Sequence, residues 1–199
     1  REPASAETML RSLASSPHLP QELAGVHQQA GAMRPADGTS IALYDAQGRQ
    51  LLDTRVPYGT VLDEPARPQR FDDLATDTQA RFSRLEPARV GAELRVSVDL
   101  PVNAAGERYV LSRIYPASYF ERLLPRHERA QDWTVALFDD DVMGIARNPG
   151  GRDFAGKPGP DSLRKAAAEK PEGRVTGHDG GETPALFVLF DCLLDGRGA

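Results

Sequence analysis

The residues best placed to do chemistry stand on two neighbouring runs, Glu93–Leu100 and Arg108–Tyr115. Alternation along an extended chain puts Arg95, Ser97 and Asp99 on one face of the first run, with Leu94, Val96 and Val98 on the other. On the second run Tyr109, Leu111, Arg113 and Tyr115 share a face. If the register brings the two polar sets together, the sheet presents guanidinium, carboxylate, hydroxyl and phenol side by side over an apolar floor. That set suits a small ligand bearing a carboxylate or an amine. Arg84, together with Arg81, stands just ahead of the first run, where it would line the same cleft. The expected ligand contacts are therefore Arg95, Ser97, Asp99, Tyr109, Arg113 and Arg84. The competing reading is a solvated sheet face laced with cross-strand ion pairs.

Other chemistries find little support. His18, His27, His127 and His178 have no metal-ligand spacing, and His178-Asp179 with Glu182 reads better as a polar glycine turn. Asp139-Asp140-Asp141 lacks the alternating oxygen ligands and the closing Glu of a calcium loop, so it reads as a charged turn. No Gly-x-Ser-x-Gly, Walker or dinucleotide fingerprint is present. The single Cys192 excludes an internal disulfide and a cysteine zinc site, and no base stands near it in sequence. No catalytic residue, metal or cofactor is expected. A net charge of −5 disfavours non-specific binding to nucleic acid. No run approaches the roughly 18 apolar residues of a membrane span. The chain opens Arg1-Glu2-Pro3-Ala4 with no signal-peptide pattern and no methionine, as expected of an excised or processed piece.

The elements that must position these residues include a repeated one. Ile41–Leu52 and Val135–Ala146 both read apolar run, aromatic, Asp, polar tight turn, apolar run, with Asp139 standing 94 residues after Asp45. Each is a β-hairpin signal, and the spacing is too long for a solenoid unit of about 20–50 residues. Two copies of a small module are expected, with a boundary near Arg129–Trp133, giving 1–130 and 131–199. Ala6–Ala32 reads as a long N-terminal helix with a Met9-Leu10-Leu13 stripe; Pro17 and Pro20 break or restart it, and Ser16 offers a cap for a second part. Strands follow at Thr39–Tyr44 and Gln50–Thr54, then a proline-bearing loop Pro57–Arg70 and a short helix Phe71–Phe82. The middle hairpin turns at Asn103–Gly106. An amphipathic helix is expected over Ala117–Ala130, strands at Trp133–Phe138 and Val142–Ala146, and a helix over Ser162–Glu169 capped by Asp161. Strands at Gly173–Thr176 and Ala185–Phe190 complete the chain, and the second copy lacks a closing strand.

That order, helix, hairpin, loop with helix, hairpin, and then a second round, is the order of a PAS-like antiparallel sheet. With "ALYDAQGRQLLDTRVPYGT", "LRVSVDLPV", "RYVLSRIYP", "WTVALFDDD" and "GRDFAGKP", the chain resembles the extracytoplasmic Cache (PDC) sensor region of bacterial sensor histidine kinases, from about Glu7 to Phe190. It departs from the pattern at Asp141-Val142-Met143-Gly144, where an Asp-Gly turn is usual, and at the missing last strand. The resemblance implies an α+β fold of tandem PAS-like (double Cache) modules carried between two transmembrane helices that lie outside this chain. It further implies a homodimer through the N-terminal helix, a periplasmic location, and a non-enzymatic chain that senses a small molecule for a kinase. Diguanylate cyclase and chemoreceptor outputs use similar sensors. A structural dimerisation module without a ligand of its own is the alternative from a different class. For the ligand itself, an amino acid, an organic acid or an amine, the site is expected in the first module, between the sheet and the Pro57–Arg84 insertion.

Overall fold

The computed structural model describes residues 2–33, 38–62, 79–87, 93–124, 135–148, 153–169, 172–176 and 184–188. It is an α+β structure of antiparallel sheets and short helices, and the chain falls into two compact units. One comprises Arg1–Ser83 and Val96–Tyr115, the other Arg84–Arg95 and Pro116–Ala199.

The first unit opens with α1 (Glu2–Ala14) and α2 (Leu23–Met33). The run expected as one long helix, broken or restarted at its prolines, forms two helices, and the break has a local reason. The Ser16 N–H tightens onto the Leu13 carbonyl at 3.0 Å, and Pro17 and Pro20 have no N–H with which to carry the helix on. The Ser16 side chain does not start the second helix; its Oγ accepts the His18 N–H, and α2 resumes only at Leu23. Ala6, Leu10 and Leu13, spaced for one face of α1, are fully buried, as are Val26 and Ala30 of α2. The stripe expected to serve a partner is therefore largely consumed inside the fold, and only Met9 stays partly exposed.

The sheet of this unit runs in the order β2-β1-β6-β5-β3, where β1 is Ser40–Asp45, β2 Gln50–Asp53, β3 Arg81–Phe82, β5 Leu94–Ala104 and β6 Glu107–Pro116. Every residue of β1 is buried, and so is β6 from Tyr109 to Tyr115, so both faces of the central strands are covered. Ile41, Leu43, Leu100 and Leu111 are each essentially inaccessible, and such burial contributes about 1.5–3 kcal/mol per side chain. His27 on α2 pins the helix to the end of β2: its Nε2 lies 3.2 Å from the Asp53 carbonyl and 3.0 Å from that of Val56, so this nitrogen carries the proton and donates. Phe82, expected at the end of a helix, is instead a buried strand residue; the rest of that expected helix, from 71 to 78, lies outside the described residues.

In the second unit, β4 (Glu86–Pro87) pairs with the start of β5, Glu86 opposite Arg95. Helix α3 (Ala117–Leu123) buries Ala117, Tyr119 and Phe120 and packs against β8. It ends where Leu124 turns extended; residues 125–130 of the expected helix lie outside the described residues. The second hairpin, β7 (Val135–Phe138) and β8 (Gly144–Asn148), is followed by α4 (Asp161–Glu169) and the antiparallel pair β9 (Glu172–Thr176) and β10 (Pro184–Val188). Phe138 and Phe154 meet edge to face at 5.3 Å, with Phe154 lying against Gly144 where no Cβ would fit.

Candidate functional site

The middle hairpin turns on two residues, Ala105 and Gly106, with φ of 51° and 81°. Paired left-handed residues give the turn whose twist matches that of the strands. A two-residue loop sets Ala104 opposite Glu107, and counting back sets Asp99 opposite Ser112 and Val98 opposite Arg113. The Ser112 hydroxyl, donating to Asp99 Oδ1 at 2.5 Å, confirms that register.

The register separates the two polar sets expected to converge. Ser97 and Asp99 face the same way as Ser112, Val110 and Ile114, and as Ser40, Ala42 and Tyr44 on β1. Tyr109, Arg113 and Tyr115 face the opposite way, with Ile41, Leu43, Val98 and Leu111. There the Arg113 guanidinium carbon lies 4.9 Å from the centre of the Tyr115 ring, and the Tyr109 hydroxyl donates to Glu107 at 2.7 Å. That bond pushes the Tyr109 phenol above its ordinary pKa, with burial and the Glu107 charge adding to it. Neither face is a solvated sheet surface: Asp99 is 2% exposed and Arg113 3%. Arg84 and Arg95 belong to the second unit, where Arg84 pairs with Asp141 at 2.8 Å and Arg95 is buried opposite Glu86.

What the structure does bring together is a transverse row across five strands. Asp53 on β2 is opposite Ala42 on β1, Ala42 opposite Ser112 on β6, Ser112 bonded to Asp99 on β5, and Asp99 opposite Arg81 on β3. The small side chains Ser40, Ala42 and Ser112 stand buried near the two buried carboxylates, with Tyr44 on the next rung. Asp53 is clamped by the Arg55 guanidinium at 2.5 Å and by Gln50 at 3.0 Å, and in return holds Arg55 above its ordinary pKa. Asp99 accepts the Ser112 hydroxyl, which orients its carboxylate, and has Arg81 opposite it on β3. A buried carboxylate needs hydrogen-bonding or charged groups around it, and the row gathers such groups on one face of the sheet. Among these residues, Ser40, Ala42, Tyr44, Ser112 and Asp53 escape a reading of the sequence by residue type, and only the register assembles them. The Pro57–Arg84 insertion, expected to wall the site, lies outside the described residues from 63 to 78.

No protein-family model and no curated protein matches the sequence. Solved structures do match. An extracellular ligand-binding receptor from Desulfohalobium retbaense DSM5692 superposes with a TM-score of 0.65 at 14% identity over 93% of this chain, which spans only 33% of that one. An extracellular domain assigned to a histidine kinase, rpHK1S-Z16, gives 0.65 at 16% identity, over 92% of this chain and 78% of its own. The ligand-binding domain of the Pseudomonas aeruginosa PAO1 amino acid chemoreceptor PctB, solved with L-Gln, gives 0.57 at 12% identity, over 89% and 72%. The chain has the fold of the extracytoplasmic Cache-like sensor domains. Identities this low speak to the fold and not to what is bound. Within the Cache-like fold, the Asp99 row lies on the sheet that the first unit is built around.

Proposed function

We propose that this chain is the extracytoplasmic ligand-sensing part of a membrane-bound sensor histidine kinase, and that its ligand is a small molecule, an amino acid, an organic acid or an amine, bound on the face of the first unit's sheet that carries Asp99. The observation that carries the reading is the buried Asp99 carboxylate, oriented by Ser112 on the same face as Ser40 and Ala42. The solved amino acid chemoreceptor of the same fold supports the ligand class. The Asp-turn hairpin, present in both units with matching bonds from the turn's N–H groups to its Asp, supports tandem Cache-like modules, and the spans that would anchor them are expected outside this chain. No described helix is long and apolar enough to cross a membrane. A thermal-shift screen of amino acids, organic acids and amines should identify ligands by raised stability. For a hit, Asp99→Ala should weaken binding by roughly ten- to a hundredfold, the loss of one charged hydrogen bond. Unchanged binding in Asp99→Ala would move the site elsewhere. Ligand-dependent autophosphorylation of the full-length receptor would establish the kinase output over a chemoreceptor or cyclase one.

A second reading, a dimerisation module, has one observation in its favour. A groove of about 620 Å³ lined by Ser5, Thr8, Met9, Ser12 and Met33 runs along α1 and α2. Cysteines at Ser5, Thr8 and Ser12 should cross-link between copies of the full-length receptor if this groove seats a partner helix. Absence of cross-links at all three would remove this reading.

A further inference from the structure

The two Asp-turn hairpins share the bonds that close the turn on its Asp, and they differ in what the Asp's second carboxylate oxygen accepts. In the first, Asp45 Oδ1 accepts the N–H groups of Gln47 and Arg49, both at 2.9 Å. In the second, Asp139 Oδ1 accepts those of Asp141 and Met143, at 3.0 and 2.8 Å. The backbone bonds match as well: Gly48 N–H to the Asp45 carbonyl and Val142 N–H to that of Asp139, each at 2.9 Å. The other carboxylate oxygen distinguishes them. Asp45 Oδ2 takes the Arg49 side chain at 2.6 Å, so the first turn closes on itself. The corresponding residue of the second turn is Met143, and Asp139 Oδ2 instead accepts the backbone N–H of Leu85 at 2.8 Å, 54 residues away. Beside it, the Arg84 guanidinium holds the Asp141 carboxylate.

Arg84 and Leu85 stand where the chain passes from the first unit to the second. The preceding residue, Ser83, is bonded to β5 twice: its N–H donates to the Ser97 carbonyl and its Oγ accepts the Ser97 N–H, each at 2.8 Å. Ser97 is two residues from Asp99 on the same face. The turn itself is a loaded element. Val142, at the position of Gly48, holds φ at 57°, a conformation that β-branched residues avoid. It is kept there by the Gly159 N–H bonding its carbonyl at 2.7 Å and by close packing on Gly159. Strained residues persist only where their surroundings over-determine them, and they cluster at functional and switch regions.

The geometry points to the Asp139 turn as a latch on Arg84-Leu85 that couples the Ser83–Ser97 pairing of the first unit to the second hairpin. The coupling does not depend on the ligand reading, so the two can fail separately. Amide hydrogen exchange, followed by NMR on the 199-residue chain, tests it. Asp139→Asn keeps an oxygen for Asp141 and Met143 but puts an NH2 where Leu85 donates. It should speed exchange at Leu85 by roughly ten- to a hundredfold, with acceleration at Phe82, Ser83 and Ser97 and none at Gln47 or Arg49. Arg84→Ala, a half-exposed and milder change, should act in the same direction by several-fold. In reverse, Ser83→Ala should speed exchange at Asp141 and Met143 in the native background and not in Asp139→Asn, the signature of a coupled pair. Acceleration confined to Leu85, or second-hairpin amides indifferent to Ser83→Ala, would overturn the latch. Should Asp139→Asn fail to fold, the Arg84→Ala and Ser83→Ala results decide alone, by the same amides.

Discussion

Ser112 carries more of the Asp99 arrangement than its size implies. Ser112→Ala removes one bond from a buried carboxylate and should lower stability by about 1.5–3 kcal/mol in urea denaturation, with a loss of any ligand affinity that depends on how Asp99 points. Tyr109 offers a separate test on the opposite face. Its phenol is raised by Glu107, so the folded state holds that proton more tightly than the unfolded chain, whose tyrosines titrate near about 10. The stabilisation is full below that pH and is lost as the pH rises through the raised value. Absorbance titration, with Tyr109→Phe subtracted, should place Tyr109 above the ordinary range and return it toward that range in Glu107→Gln. At Val142 two effects oppose each other. The left-handed backbone costs about 1–2 kcal/mol, while burying the side chain returns a similar amount. Val142→Ala gives up the burial and keeps a strained backbone, so Val142→Gly, ordinarily the worse substitution, should be the more stable of the two by about 1 kcal/mol. Equilibrium unfolding of both variants checks this.

The middle hairpin shows what a sequence does and does not disclose. Alternation along Glu93–Leu100 and Arg108–Tyr115 marks both strands, and β5 and β6 form there. A loop of Asn103–Gly106 and the observed Ala105-Gly106 both contain an even number of residues. Any even loop pairs odd positions with even ones, so the separation of Asp99 from Arg113 is legible in the loop parity alone. The partner is not: a four-residue loop would set Asp99 opposite Val110, and only the tighter turn delivers Ser112. Ala105 stands where Asn favours that turn, and Ala105→Asn should add about 0.5–1 kcal/mol to stability without moving the register, as thermal unfolding would measure. The split of the N-terminal helix was signalled by Pro17 and Pro20, although the restart at Leu23 rests on bonds among Ser16, His18 and Glu22 that no periodicity announces. The repeat of Asp45 and Asp139 was visible at the level of residue type. The reach of Asp139 to Leu85 was not, because it joins residues far apart in sequence through a backbone N–H, which carries no residue signature.

The whole molecule is interleaved, since the second unit takes Arg84–Arg95 from the middle of the first. For evolution and for protein engineering this changes where the chain can be exchanged. A single crossover placed after Tyr115 would graft a foreign second half onto a recipient still carrying this protein's Arg84–Arg95, leaving Leu85 to seek an acceptor that the new turn lacks unless it too begins with Asp. Well-folded chimeras of this chain would therefore need two coordinated breakpoints, one on each side of the excursion, as well as the one after Tyr115. Ordinary one-point recombination between divergent homologues would be expected to yield poorly folded hybrids. The 12 residues from Arg84 to Arg95 thus make the two units heritable as a pair.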